Sequence, residues 1–131
     1  MYINENNYAD EADKVIIQLQ KKINPKTGKS VPMVTTSKIR NLLAMTSDIY
    51  NEVVMQQDDK LSDDLVGRIE YLRIRVVYEA GREQSVKDFM MQAKILDILK
   101  EIKGSRKNYI LFNRYMESLV AFHKFYGGKD N

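Results

Sequence analysis

The sequence predicts an all-α fold, a compact bundle of about five helices, and two observations support that prediction. Only 2 of the 131 residues are proline and 6 are glycine, whereas the helix-forming residues Leu, Met, Glu and Lys are abundant. Apolar residues recur at intervals of three and four along most of the chain, which is the spacing of an amphipathic helix. No stretch shows the two-residue alternation of a strand, and a chain of this length is expected to form a single domain.

The N-terminal part of the chain is predicted to form one short helix followed by a loop. Residues 8–23 carry apolar side chains at helical spacing. The segment that follows contains both prolines and a glycine, and these residues favour a surface loop. We therefore expect an N-terminal helix and loop over residues 1–34 and the main helical bundle over residues 35–129.

The second predicted helix follows this loop and runs to about Gln56. Its N-terminus is expected at Thr35, Thr36 or Ser37, because a side-chain hydroxyl there can accept a hydrogen bond from a free backbone N–H of the first turn. Seven of its residues share one face, which we expect to be buried: Ile39, Leu42, Leu43, Thr46, Ile49, Tyr50 and Val53.

The third predicted helix is apolar on nearly every side and yet carries four arginines. A helix this apolar is expected to be central in the fold. Ser62 is expected to cap it, and Gly81 is expected to end it in the left-handed conformation. If Gly81 does not break the chain, the third and fourth helices could fuse and exchange between copies. The inward stripe is predicted to be Leu65, Ile69, Leu72 and Val76.

The fourth predicted helix runs from Glu83 to Ile102, ends at Gly104 and carries two apolar stripes. One stripe consists of Val86, Phe89, Ala93 and Leu96. The other consists of Met91, Ile95, Ile98, Leu99 and Ile102. The second stripe needs a partner, either within the chain or in another subunit.

The fifth predicted helix runs from about Ser105 to Tyr126 and stops at two glycines. Its apolar face is expected to be buried and includes the only histidine, so a core histidine is favoured over a catalytic one. The residues of this face are Tyr109, Phe112, Met116, Leu119, Val120 and His123.

Several classes of chemistry are not expected. The chain has no cysteine and one histidine, which excludes disulfides and leaves too few ligands for a typical zinc site. Neither a P-loop motif nor a dinucleotide-binding glycine motif occurs. The acidic pairs at 58–59 and 63–64 flank a helix start, so capping is favoured over magnesium binding. We expect no enzyme activity, no cofactor, no membrane span and a cytoplasmic location.

A stripe of alternating aromatic and guanidinium groups follows one side of the third helix. Tyr71, Arg75, Tyr78 and Arg82 fall within about 60° of one another at 100° per residue. This pattern suits nucleic acid, because arginine pairs with phosphate and tyrosine stacks on bases. The alternative is that the tyrosines pack on a neighbouring helix while the arginines form ion pairs with Glu70, Glu79 or other acids.

Two further segments are candidate anion sites. The start of the second helix combines free backbone N–H groups with Lys38 and Arg40, although an ordinary cap with two solvated cations is slightly favoured for this segment taken alone. The tail from His123 to Lys129 combines aromatic residues with lysine, although a helix end explains that pattern too.

Four local patterns together resemble one family, the small subunit of the Csm effector complex of type III-A CRISPR–Cas systems. These are TTSKIRN, YLRIRVVYEAGRE, VKDF and RYMESLVAFHKFYGGK, and the resemblance covers roughly residues 35–129. It implies an all-helical, non-catalytic subunit that is present in several copies and flanks the guide–target RNA duplex. Such a subunit contacts RNA without reading its sequence.

The resemblance also implies partners and contact residues. The partners are the guide RNA, the target RNA, the repeated backbone subunits, the large polymerase-like subunit and copies of the chain itself. The alternative is a helical protein–protein adaptor or regulator without an RNA role. Five phosphate contacts are expected, with three weaker candidates after them: Lys38, Arg40, Arg68, Arg75 and Arg82, then Arg73, Lys87 and Lys124.

Overall fold

Six α-helices form the fold in this computed structural model, which describes all 131 residues. The only β pairing consists of two isolated bridges. The all-α prediction is therefore confirmed, with six helices because the predicted fourth helix is divided in two. The helices are α1 Tyr8–Gln20, α2 Thr36–Val53, α3 Asp63–Arg82, α4 Gln84–Ala93, α5 Ile95–Glu101 and α6 Arg106–Phe125.

The C-terminal helix α6 occupies the centre of the bundle. It packs against α1 and α2 and also contacts α5. The N-terminal segment joins the same core through Ile3, which is fully buried, and the inward residues of α1 are buried as predicted. Eight residues of α6 are buried, more than in any other helix: Tyr109, Leu111, Phe112, Asn113, Tyr115, Met116, Leu119 and His123.

Helix α3 lies at the edge of the bundle, so the prediction that it is the central helix is wrong. Its inward stripe is buried as predicted, and its contacts are with α2, α4 and α5. No helix covers its outer side, because all three neighbours approach it from the side of that stripe. Four large apolar side chains on this outer strip are more than half exposed: Tyr71, Ile74, Val77 and Tyr78.

The predicted fourth helix is broken at Lys94, which adopts the left-handed conformation with φ 57° and ψ 37°. The carbonyl of Ala93 there accepts a hydrogen bond from the Tyr115 hydroxyl at 2.8 Å. The break changes the direction of the chain, so that both predicted stripes are buried within one molecule. Only Met91 of the second stripe remains exposed, at 66%. The partner of that stripe is therefore intramolecular.

The corner between α3 and α4 differs from the prediction at Gly81. This glycine is helical, and the helix ends one residue later at Arg82. Glu83 is extended, with φ −138° and ψ 130°, and this turn lets α4 fold back against α3. The Glu83 carboxylate pairs with Lys38 of α2 at 2.6 Å. The two helices are therefore not fused into one, and a left-handed glycine is unnecessary because an extended residue makes the turn.

The loop before α2 lies on the surface as predicted, although α1 ends at Gln20 instead of Ile23. The Ile23 side chain is exposed, and its backbone pairs with Ser30 in one of the isolated bridges. Thr35 and Ser62 act as helix caps at the predicted positions, each accepting a backbone N–H bond, and Ser105 caps α6 in the same way.

Candidate nucleic-acid interface

A groove between α2 and α3, hereafter the α2/α3 groove, brings together four of the predicted contact residues. It consists of two adjoining clefts of about 370 and 270 Å³ that share Met45 and Arg75. One cleft is lined by Lys38, Arg75 and Arg82, and the other by Arg68 and Arg75. Asn41, Asp48 and Glu79 complete the polar lining.

The helical repeat explains why three arginines line this groove. Arg68, Arg75 and Arg82 are separated by seven residues, close to two full turns, so they share one side of α3. Successive guanidinium groups therefore start about 10 Å apart along the helix axis. Lys38 joins them from the first turn of α2, opposite the end of α3 that carries Arg82.

Each of the four groove cations has an acidic neighbour. Lys38 pairs with Glu83, and Arg68 pairs with Glu52. A single carboxylate, Glu79, lies 4.0 Å from Arg75 and 3.7 Å from Arg82. These last two distances are too long for hydrogen bonds, so both guanidinium groups keep donors that can reach a phosphate.

The arginine side chains of these pairs are well exposed to solvent, whereas that of Glu79 is 24% exposed, and the exposure of the arginines limits the contribution of the pairs to stability. The exposed fraction of the Arg82 side chain is 58% and that of Arg75 is 46%. Exposed ion pairs contribute about 0–1 kcal/mol, so an incoming phosphate can replace Glu79 at small cost. Because acids and cations alternate along the groove, its attraction for a polyanion is expected to be moderate.

The two tyrosines of the predicted stripe are exposed. Tyr71 lines the groove and is 62% exposed, and the Arg82 guanidinium lies over the ring of Tyr78, 5.6 Å from its centroid. The alternative is therefore wrong in packing these tyrosines on a neighbouring helix, although the ion pairs with Glu79 that it expected are present. Both rings are available for stacking or for a hydrogen bond from the hydroxyl.

The start of α2 is not a free anion site, and the alternative of an ordinary cap is the one that the structure supports. The backbone N–H of Thr36 donates to the Lys129 carbonyl at 2.8 Å, and that of Ser37 donates to the Asp130 carbonyl at 3.2 Å. The next N–H, that of Lys38, donates to the Thr35 hydroxyl at 3.3 Å. The C-terminal tail thus satisfies the donors that a phosphate would need.

The predicted residues outside the groove divide between two surroundings. Arg40 and Lys124 lie beside the tail, where Lys124 hydrogen-bonds to Asp130 at 3.0 Å. That bond lowers the pKa of the Asp130 carboxylate, with a smaller contribution from Arg40. Arg73 pairs with Glu70 on the other flank of α3. Lys87 is exposed on α4 and has no ion pair within 4.0 Å. Neither residue lines the α2/α3 groove.

His123 is a core residue, as favoured from the sequence. It is 1% exposed, and its Nε2–H donates to the Val34 carbonyl at 2.7 Å. Nδ1 lies 3.0 Å from the Thr36 hydroxyl, which can donate to it. Burial lowers the pKa of His123, so the ring is neutral at pH 7.

Asn41 and Glu79 were not predicted as groove residues. Asn41 lies one turn from Lys38, and Glu79 lies one turn from both Arg75 and Arg82, so helical spacing alone could have identified them. No group of three or more acidic or histidine side chains is arranged to hold a metal ion, and no helix has the length and apolar character needed to cross a membrane.

The fold and this groove define a small all-helical protein with a cation-lined surface groove. A family model described as Csm2 type III-A matches residues 13–129. A protein named "CRISPR system Cms protein Csm2" from Streptococcus thermophilus is 43% identical over 128 residues, which is 98% of each chain. A protein of the same name from Mycobacterium tuberculosis is 39% identical over 74% of this chain and 78% of its own. Another from Enterococcus italicus is 38% identical over 71% of this chain and 68% of its own.

The chain therefore belongs to the Csm2 family of type III-A CRISPR systems. This membership confirms the resemblance to the small subunit of the Csm effector complex. The family match begins at residue 13, so the likeness extends further toward the N-terminus than the motifs after residue 34 indicated.

Proposed function

We propose that this protein is a non-catalytic, RNA-contacting small subunit of a type III-A CRISPR effector complex that acts in the cytoplasm in antiviral defence. The observation that carries the proposal is the convergence of Lys38, Arg75 and Arg82 on one cleft of the α2/α3 groove. Cations at the rim of a solvent-open groove are suited to the phosphate backbone of a guide–target duplex.

The contacts proposed here are independent of sequence. Arginine presents a planar fork that binds two phosphate oxygens at once, and the long Glu79 pairs leave those donors accessible. Tyr71 and Tyr78 add stacking or hydroxyl contacts beside the arginines. No side chain needs to read a base edge, because pairing between guide and target supplies the sequence information.

A single copy is expected to bind RNA weakly. The net charge is only +3, and acids lie within the groove. Several copies that flank one duplex convert weak contacts into a strong combined interaction, because each contact after the first is intramolecular. Retention of RNA would then depend on assembly as well as on individual arginines.

The exposed outer strip of α3 supports a bridging role. Tyr71, Ile74, Val77 and Tyr78 form an apolar surface that no helix of this chain covers. Contiguous exposed apolar surface of this kind marks contact with another protein. We propose that neighbouring subunits of the complex, including other copies of this chain, cover it.

The proposal is tested by charge reversal in the assembled complex. The double variant Arg75→Glu/Arg82→Glu is compared with Lys29→Glu/Arg114→Glu, which changes the net charge equally at two exposed cations outside the groove. Hydrogen bonds to charged groups contribute about 1.5–3 kcal/mol each, so target-RNA retention should fall tenfold or more in the groove variant alone.

Normal incorporation and normal RNA retention by the groove variant would contradict the site assignment. A milder variant, Arg75→Gln/Arg82→Gln, avoids crowding Glu79 with further acids. It should give a smaller loss in the same direction, and circular dichroism should show the same helical content as the unmodified protein.

A second candidate function is that of a helical adaptor without an RNA role. The acidic neighbours of all four groove cations favour it, because they partly neutralise those charges within the chain. This alternative expects a stable complex with protein partners only and binding that does not respond to salt. Recovery of the chain with larger subunits and a guide RNA favours the RNA-contacting role.

A further inference from the structure

A second groove lies on the opposite flank of α3, between α3 and α5. Its volume is about 400 Å³, and its apolar lining comes from both helices and the segments next to them: Leu61, Val66, Ile69, Leu99 and Ile102. Three ammonium groups lie at its rim, those of Lys60, Lys100 and Lys103. We call this surface the lysine groove.

The three lysines have no acidic partner within this chain. All are exposed, and none has a carboxylate within 4.0 Å, in contrast to every cation of the α2/α3 groove. Two acids also line the lysine groove, but Glu70 pairs with Arg73 at 3.6 Å and Asp63 lies in the first turn of α3, where it complements the helix dipole. The lining therefore carries three lysines against two carboxylates, and none of the three lysines has an ion-pair partner within 4.0 Å.

The rim of the lysine groove is held in place by the backbone. The Leu61 N–H donates to the Gly104 carbonyl at 2.8 Å, and the Arg106 N–H donates to the Asp59 carbonyl at 2.8 Å. These bonds, with the bridge between Lys60 and Ser105, tie the segment before α3 to the turn before α6. A ligand would meet a preformed surface, which lowers the cost of binding.

From the unpaired lysines and the apolar lining, we propose that the lysine groove binds an acidic segment of another protein subunit. The carboxylates of that segment would lie at the rim and its apolar side chains on the floor. Such a peptide satisfies both features at once. Nucleic acid fits less well, because no aromatic residue lines the groove to stack a base and a phosphate backbone has no apolar group for the floor. Lysine also offers single point charges instead of the planar fork that binds phosphate oxygens in pairs.

A second copy of this chain does not supply a matching segment. Its exposed apolar strip on α3 is flanked by arginines, and Phe125 and Ile23 follow Lys124 and Lys22, respectively. The exposed Met55 precedes two acids, Asp58 and Asp59, but Arg106 binds the carbonyls of Val54 and Gln56 in that segment and Lys60 follows it. Those surfaces would bring positive charge toward the three lysines. The occupant is therefore expected to be a different polypeptide.

The first test is zero-length carbodiimide cross-linking of the assembled effector complex, followed by mass spectrometry. Carbodiimide joins an amine to a carboxylate in direct contact. Links from Lys60, Lys100 or Lys103 to aspartate or glutamate of a different subunit are expected. Links only within the chain, links to a second copy, or photochemical cross-links from these lysines to RNA would overturn the proposal.

The second test compares incorporation of two triple variants into the complex. Lys60→Glu/Lys100→Glu/Lys103→Glu should lower incorporation at least tenfold, whereas Lys21→Glu/Lys26→Glu/Lys29→Glu, with the same change of charge at exposed, unpaired lysines, should not. Replacing the cross-linked acids of the partner by lysine should restore incorporation of the first variant. Equal incorporation of both variants, or failure of this charge exchange, would overturn the proposal.

Discussion

The side of the molecule built on α1, α2 and α6 differs from the side built on α3 in whether its polar and apolar groups find partners within the chain. Around α6, every buried side-chain polar atom has a hydrogen-bond partner within the chain. The Tyr109 hydroxyl, for example, donates to the Thr46 carbonyl at 2.7 Å. On the outer side of α3, large apolar groups face solvent, and Arg75 and Arg82 share the single carboxylate of Glu79 at long distance.

This difference indicates that one side is built for the stability of the fold and the other for contact with other molecules. The α6 side satisfies its own packing and hydrogen bonding, so its residues serve the stability of the fold. The α3 side leaves apolar area and cationic donors unused, which suits contact with other molecules. Substitutions should therefore separate the two sides, with large effects on stability at one and large effects on assembly at the other.

The largest expected effect is at the centre of α6. Phe112 is fully buried, so Phe112→Ala should lower the free energy of unfolding by about 3–5 kcal/mol through lost burial and a cavity. Ile74 is 62% exposed, so Ile74→Ala should change it by no more than about 0.5 kcal/mol. Urea unfolding followed by circular dichroism measures both, and equal losses would contradict the proposed division.

A smaller effect is expected from one hydroxyl. Tyr115→Phe leaves the buried Ala93 carbonyl without its partner at the break between α4 and α5, so the free energy of unfolding should fall by about 1–3 kcal/mol. Tyr71→Phe removes an exposed hydroxyl that makes no hydrogen bond and serves as the matched control. The same urea titration applies, and a neutral Tyr115→Phe would mean that this bond does not hold the break.

The packing of the C-terminal tail over the start of α2 can be tested by replacing a glycine in that tail. A Cβ at Gly128 would overlap the His123 ring, so Gly128→Ala should cost on the order of 1 kcal/mol by forcing the tail to shift. Gly67 in α3 has open space around it, and Gly67→Ala should instead stabilise the protein by about 0.4–1 kcal/mol. Thermal melting distinguishes the two, and the same sign for both would contradict the packing described.

The pH dependence of stability gives a further test on the same side. Because burial lowers the pKa of His123 from its ordinary 6.5, the unfolded chain binds a proton more readily than the folded one. Stability should be fully present above pH 6.5 and should decrease as the pH falls through the interval below that value. The decrease should be absent in His123→Gln, and urea titrations at pH 7.5 and pH 5.5 check this. An identical decrease in the variant would assign it to another group.

Most of the buried side was predictable from the sequence, because helical periodicity reports burial directly. The inward stripes of α2 and α3 and the capping residues followed from spacing and side-chain type alone. Two features did not follow. The break at Lys94 depends on a hydrogen bond from Tyr115, 21 positions away, and left-handed lysine has no local sequence signal. The edge position of α3 depends on which helices surround it.

The candidate site was predictable in part for the same reason. The seven-residue spacing of Arg68, Arg75 and Arg82 identifies one side of one helix, and the structure brings Lys38 to that side from α2. The sequence could not show that the first backbone N–H groups of α2 are already hydrogen-bonded, because their acceptors, the carbonyls of Lys129 and Asp130, come from the other end of the chain. The lysine groove was missed because Lys60 lies 40 positions before Lys100 in the sequence, and only the fold brings it beside Lys100 and Lys103.

The most direct test of the central claim, that the α2/α3 groove contacts RNA phosphates, is the salt dependence of target-RNA binding by the assembled complex. Each phosphate contact that is lost should reduce the slope of log K against log salt concentration by roughly one. The account predicts a shallower slope for Arg75→Gln/Arg82→Gln and an unchanged slope for the control Lys29→Gln/Arg114→Gln. A slope for the groove variant equal to that of the unmodified complex would contradict it.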